Sequence, residues 1–332
     1  MRIVVIGTGA IGGTIAALLD RAGHEVSVTA RGAQLEALQS DGLALSGGWG
    51  THLARPSASE RLTETPELAF VCTKAQDAGR AITDNSDRLA GVPAVIVQNG
   101  LDGVRVAEDL LPDSPVIGAI ALYAANYRRA GLVDVTAAGP TFIGVDDPQR
   151  RDVAERVVSV LGGAMPTRLI TDFRGAQWSK LIVNQVNAMP AITGLSAQET
   201  LRHPMLGRIV ASSMREAVRI GFASGVHFAS LQGLNQQLLR GFSIAPIAIG
   251  RALPRVMAAQ MGDTPNSGST LQSITRGQPT EIDFLNGAVV RAAREVGLAA
   301  PINAALTELV HRVETSGDFL GVEEVAAVFE RL

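Results

Sequence analysis

The sequence predicts a two-domain α/β protein, with a doubly wound parallel sheet over 1–170 and an all-α domain over 171–332. Three observations carry this. The chain opens on a β-branched run, a glycine-rich turn and an apolar helix. Apolar strand-like runs then alternate with helical stretches as far as about residue 170, which is the pattern of a parallel sheet. From about residue 172 only helical periods remain.

Taken in order, "RIVVIG" (2–7) is a short apolar run suited to a strand buried on both faces. "GTGAIGG" follows, and then a helix through Ile15, Leu18 and Leu19 that stops at Gly23. Strands are expected at 24–31, 67–74, 93–100, 115–122, 131–137 and 141–145, with a helix in "QDAGRAI". Helices are expected at 174–193, 203–223, 230–240, 280–296, 301–315 and 321–331, and Gly225 and Gly297 read as helix stops. The stretch 254–280 is the least regular and is a candidate cover for a cleft.

A length of 332 residues exceeds the size at which one core usually stops growing, and 46% hydrophobic with 18% charged residues is a globular composition. A net charge of −3 provides no basic field for nucleic acid, and no apolar run is long enough to span a membrane. The first residues lack the apolar core and cleavage site of a secretory signal. Cys72 is the only cysteine, so no internal disulfide and no cysteine-based metal site is expected. A cytoplasmic protein without a metal is the expectation. Of 29 basic residues, only Lys74 and Lys180 are lysine. Lysine differs from arginine in having a tunable proton, so where these two fall carries information.

Three constellations carry chemistry. Gly7-x-Gly9-x-x-Gly12 follows a strand and opens a helix. The first glycine suits a tight turn, the second close approach of a pyrophosphate, and the third close helix–strand packing, with the helix N-terminus favouring the anion. Thr8, Ala10 and Ile11 complete that cradle. The second strand ends in Arg31 rather than an acidic residue, which suits the 2′-phosphate of NADP; a solvated surface arginine is the bland alternative. Lys74 and Asn99 end the next strands, on the side where such sheets bind ligands, although Asn-Gly is also a common turn.

The second constellation is "QWSKLIVNQVNAMPAITG" (177–194), an apolar helix in which Lys180, Asn184 and Asn187 share one stripe about 60° wide. A buried helix with one polar stripe points it at a cavity. There a desolvated lysine can protonate a carbonyl oxygen as hydride reaches its carbon, while asparagines orient the substrate. The third is "SGSTLQSITRGQPTEIDFLNG" (267–287). Thr280 with Asp283 fits a capping box. Glu281 either favours the helix end electrostatically or is a functional carboxylate that binds a hydroxyl or pairs with Lys180, and Ser269 is a candidate carboxylate ligand.

Together, the glycine motif at 7–12, Lys74, "QNG" at 98–100, "KLIVN" at 180–184 and "STLQSI…TEIDFLNG" at 269–287 resemble the ketopantoate reductase family over nearly the whole chain. The resemblance implies NADPH-dependent reduction of 2-dehydropantoate to (R)-pantoate, on the route to pantothenate. It implies a Rossmann domain followed by a helical domain like the C-terminal domain of 6-phosphogluconate dehydrogenase. It makes Lys180 the proton donor, Asn99, Asn184 and Ser269 substrate ligands, and Lys74, Asn99, Ala124 and Glu281 cofactor contacts. Any homodimer contact is expected from the helical domain.

The chain departs from the family in two places. The second asparagine of the helix usually stands four residues after the first, where this chain has Ala188, and Asn187 is one residue early. One residue is about 100° of rotation, so Asn187 needs a shift to make the usual contact. A further substrate asparagine aligns near Gln198. Related readings are a reductase of a different 2-oxo acid or carbonyl, and a non-catalytic NADP-binding regulator, which would have no need to keep Lys180. A β-hydroxyacid dehydrogenase shares the Lys-x-x-x-Asn helix, but "LSGGWG" at 45–50 falls too early for that family's substrate loop.

Overall fold

The computed structural model describes residues 1–261 and 265–330. The chain divides into two compact units, Met1–Phe173 and Arg174–Leu332.

The first unit contains β1 (Arg2–Ile6), β2 (Glu25–Thr29), β3 (Leu43–Gly47), β4 (His52–Ala54), β5 (Ser57–Ser59), β6 (Leu68–Val71), β7 (Ala94–Val97), β8 (Val116–Ala121), β9 (Ala124–Arg129), β10 (Leu132–Ala137), β11 (Thr141–Gly144) and β12 (Thr167–Ile170). Eight of them form one sheet in the order β12-β11-β8-β7-β6-β1-β2-β5. Every pairing in it is parallel except β11 with β8. The central strands are apolar throughout because both faces are covered. Ile3 and Val5 enter one core cluster, and the alternate residues Val4 and Ile6 enter the other. The strand order reverses between β1 and β6, which places their carboxyl ends, and the glycine turn after β1, at the switch point where such sheets bind ligands.

A second, four-stranded sheet, β4-β3-β10-β9, was not anticipated. The strand expected at 131–137 belongs here, paired with β3 and β9. Leu43, Leu45, Val133 and Val135 bury its inner face in the same cluster as Ile15, Leu18 and Leu19 of the helix Ala10–Arg21. β4 and β5 are three residues long, β3 and β12 mix Gly, Ser, Thr or Arg into four or five residues, and β9 ends in two arginines, so none shows a strand pattern in the sequence.

The second unit is helical, and Leu231↔Leu234 is an isolated bridge there. The apolar helix at its start is not continuous. It runs Phe173–Asn184, passes through one 3-10 turn at Gln185–Asn187, and resumes at Ala188–Thr193. Helices Pro204–Ala223, Asn286–Glu295 and Pro301–Ser316 surround it, and Gly225 and Gly297 lie just past helix ends with φ of +72° and +69°. The stretch expected to be least regular contains helices Ala252–Gln260 and Gly268–Thr275, with 262–264 outside the described residues.

A buried polar knot lies between these helices. Ser213 Oγ sits 2.9 Å from Gln185 Oε1 and 3.0 Å from Asn303 Oδ1. Asn286 Nδ2 donates to the same two oxygens at 2.9 and 3.0 Å. Asn303 Nδ2 and the Asn303 and Ile302 backbone amides donate to Glu216. Burial raises the Glu216 carboxyl above its ordinary value, against those hydrogen bonds, which lower it.

Candidate active site

The glycine turn is shaped by packing. Gly7 has φ +90°, and a Cβ there would meet Thr73 at 2.7 Å. A Cβ on Gly12 would collide with the Gly7 carbonyl oxygen and with Cys72, so helix and strand are as close as backbone allows. Above Gly9 a Cβ would meet nothing within 4 Å, and Gly9 is exposed. The loop is held at its edges: Gly7 N donates to Thr29 Oγ1 at 3.3 Å, and Gln34 Nε2 to the Thr8 carbonyl at 3.0 Å. Ala10 begins the helix and Ile11 is half-buried on it; no side chain caps that helix, so its N-terminal amides are available to an anion.

Arg31 follows β2, is largely exposed, and reaches Asp84 at 3.2 Å. That carboxylate also takes Arg61 at 3.2 Å and Arg80 at 3.6 Å. Lys74 stands immediately before the helix Ala75–Thr83, and Asn99 two residues past β7; both are half-buried. Ala124 is the first residue of β9 and is exposed.

Two residues that the sequence did not single out lie among these. Thr73 Oγ1 and Gln98 Oε1 are buried without a hydrogen-bond partner among the described residues. Both stand at the carboxyl ends of parallel strands, where a ligand would supply the partner. Thr73 next to Lys74 carried no signal of its own, and Gln98 entered only as part of the "QNG" motif, with no role assigned to it. With an open face over Gly9, an uncapped helix N-terminus and two buried oxygens left without a partner, these residues fit a dinucleotide.

In the helical unit, Ala176, Trp178, Ser179, Leu181 and Ile182 are all at most 3% exposed. Lys180, Asn184 and Asn187, the stripe that the sequence indicates, remain part-accessible, as do Gln177 and Val183, and Arg174 is exposed. Although Lys180 keeps some accessible surface, its amino group is desolvated. Burial lowers its pKa from 10.5 to about 8, and the charge of Glu281 acts in the opposite direction.

Glu281 therefore stands within electrostatic reach of Lys180, at the start of a 3-10 turn at Ile282–Phe284. The expected capping box does not form. Thr280 Oγ1 accepts from Ile282 N at 3.2 Å and Asp283 goes to His311 at 3.0 Å, because a 3-10 turn and not an α-helix follows Glu281. Ser269 is exposed on the first turn of Gly268–Thr275, beside Asn187: a Cβ on Gly268 would lie 2.7 Å from Asn187 Oδ1. Gln198 is 4% exposed, and its Oε1 accepts from Asn266 N at 3.0 Å. Its amide oxygen is thus used to hold the loop before Ser269.

The ketopantoate reductase PanE/ApbA family model matches residues 3–148, and its C-terminal companion matches residues 172–314. The chain belongs to the ketopantoate reductase family. A 2-dehydropantoate 2-reductase of Archaeoglobus fulgidus is 30% identical over 95% of this chain and 98% of its own length. The enzyme of the same name from Pyrococcus horikoshii is 27% identical over 96% and 99%. A PanE/ApbA-family ketopantoate reductase from Ralstonia eutropha JMP134 superposes with a TM-score of 0.81 at 27% identity, covering 95% of this chain and 99% of its own. D-mandelate dehydrogenase in complex with NADH and anilino(oxo)acetate gives the same TM-score at 18% identity, covering 95% of this chain and 99% of its own, and shares the fold. This ketopantoate reductase family member is therefore an oxidoreductase with a nicotinamide cofactor, built from a Rossmann-type sheet unit and a helical unit. Among the described residues no helix is long and apolar enough to cross a membrane, and no cluster of potential metal ligands occurs.

Proposed function

We propose that the chain reduces the ketone of a 2-oxo acid to a 2-hydroxy acid with NADPH in the cytoplasm, and that its substrate is 2-dehydropantoate, giving (R)-pantoate. The observation that carries this reading is Lys180: an ammonium with a pKa lowered to about 8 by burial, on the part-accessible polar stripe of a largely buried helix. The nicotinamide cofactor, when bound, supplies the hydride. Lys180 donates its proton to the ketone oxygen as the carbon accepts that hydride, so the alcohol forms without a free alkoxide. Asn184 and Asn187 on the same stripe, with Asn99 and Ser269, bind the substrate's oxygens. Glu281 holds the Lys180 ammonium charged in its desolvated setting. Gly7 to Gly12, Arg31, Lys74, Asn99, Ala124 and Glu281 bind the cofactor, with Arg31 reading the 2′-phosphate.

A second reading, a different 2-oxo acid, is favoured by Gln198, whose amide oxygen is already engaged inside the fold. A site built to bond a substrate hydroxyl rejects analogues lacking it, so one altered contact redirects selectivity. The test is NADPH oxidation by purified protein with 2-dehydropantoate beside a panel of 2-oxo acids. Selective turnover of 2-dehydropantoate supports the first reading and selective turnover of another member supports the second. Turnover of none refutes both.

A further inference from the structure

The 3-10 turn at Gln185–Asn187 changes what the polar stripe presents. Asn184 has φ −67° and ψ −14°, and Asn187 φ −71° and ψ −21°, before Ala188 returns to ψ −43°. An α-helix turns about 100° and rises about 1.5 Å per residue. A 3-10 helix turns about 120° and rises about 2.0 Å. Three 3-10 steps from Asn184 to Asn187 amount to one full turn and a rise of about 6 Å. Four α-helical steps give about 400° and the same rise. Asn187 therefore stands directly above Asn184, within about 40° of where an unbroken helix would put residue 188. Burial agrees: Ala188 is 0% exposed and Asn187 part-accessible. Lys180, Asn184 and Asn187 become a ladder with rungs about 6 Å apart, and the top rung touches Gly268 next to Ser269.

The sequence explains why the helix tightens here. Gln185 is fully buried, and its Nε2 donates to the Leu181 carbonyl one turn back at 3.1 Å, an acceptor it shares with the last turn of the helix Phe173–Asn184. A side chain that bonds back to the carbonyl one turn earlier competes locally with the helical ladder and bends it. Its Oε1 is held at 2.9 Å by both Ser213 and Asn286. Pro190 adds to this, having no amide for the Val186 carbonyl and a ring that crowds it.

We propose that Gln185, anchored by Ser213 and Asn286, is a positioning residue: it holds the 3-10 turn that makes Asn187 the third rung and thereby sets selectivity for the oxo-acid substrate. This rests on the reading of the Lys180 stripe as the substrate site. The test is a cycle of Gln185→Met, Asn187→Ala and the double variant in the full enzyme. For each, kcat and KM for the preferred oxo acid, NADPH affinity, and amide chemical shifts of residues 181–190 are measured. Gln185→Met is expected to raise KM about tenfold, with NADPH affinity unchanged and the shifts moved toward regular α-helix. Asn187→Ala should then add little in the Gln185→Met background, since coupled residues are not additive.

Full additivity, or an unchanged KM with unchanged shifts in Gln185→Met, overturns the proposal. Should Gln185→Met not fold, the pair Asn187→Ala and Asn187→Ala/Ala188→Asn decides. Recovery of the wild-type KM in the pair overturns the proposal, and no recovery supports it. A wild type that turns over no oxo acid, yet shows 3-10 shifts that Gln185→Met abolishes, would refute the substrate-site reading and leave the structural role of Gln185 standing.

Discussion

Raising the pH through 8 should switch off reduction by titrating Lys180, and Glu281→Gln should move that break. A lysine with a pKa of about 8 is roughly nine-tenths protonated at pH 7 and roughly one-tenth at pH 9. Because reduction consumes the ammonium form, kcat/KM should be level on the acid side of 8 and fall about tenfold for each further pH unit. An ordinary lysine at 10.5 would leave the profile level to about pH 10. Oxidation of the hydroxy acid needs the neutral amine, so its profile should rise where the reductive one falls. Glu281 raises the Lys180 pKa, and Glu281→Gln removes that charge, so the reductive break should shift to lower pH. The assay is initial-rate NADPH oxidation across pH at saturating cofactor. A profile level to pH 10, or a break that moves upward in Glu281→Gln, would refute the reasoning. The same titration acts on stability. Between about 8 and 10.5 the unfolded chain keeps a proton that folded Lys180 has shed, so this group makes stability rise with pH across that window. Lys180→Met should remove that contribution in pH-dependent denaturant melts.

Arg31→Glu should weaken NADPH about 10–100-fold more than NADH, as a charge-assisted contact is lost and a repulsion gained; equal losses in titrations of both cofactors would show that Arg31 does not read the 2′-phosphate. Gly12→Ala and Gly9→Ala should separate folding from binding. The Cβ at position 12 has no room and should cost about 3 kcal/mol of stability by denaturant melt, whereas the Cβ at position 9 meets open space and should leave the melt unchanged while cofactor affinity falls. Unchanged cofactor affinity in Gly9→Ala would mean that nothing binds above that glycine.

Much of the first unit was legible because its physics is local. The run Ile3–Ile6, the glycine turn and the helix with Ile15, Leu18 and Leu19 each state their own period. The four-stranded sheet was not legible: β3 is "LALSG" and β4 only "HLA", and β3 pairs with β10 across nearly ninety residues of sequence. The polar stripe of the helical unit was visible at helical spacing, but the 3-10 turn within it was not. It depends on Gln185 finding Ser213 and Asn286, which lie 28 and 101 residues away. The capping reading at Thr280 failed for a similar reason: Glu314 and His311, from the helix Pro301–Ser316, draw Thr280 and Asp283 into other contacts. Thr73 and Gln98 show their relevance only as orphaned buried atoms, a property of packing.

The most direct test of the central claim is Lys180→Ala, assayed for NADPH-dependent reduction of the preferred 2-oxo acid together with NADPH affinity by direct titration. A general acid accounts for roughly 10²–10⁴ in rate, so turnover should fall by that factor while NADPH binds as in the wild type. Wild-type turnover in the variant would contradict the assignment of Lys180 as proton donor.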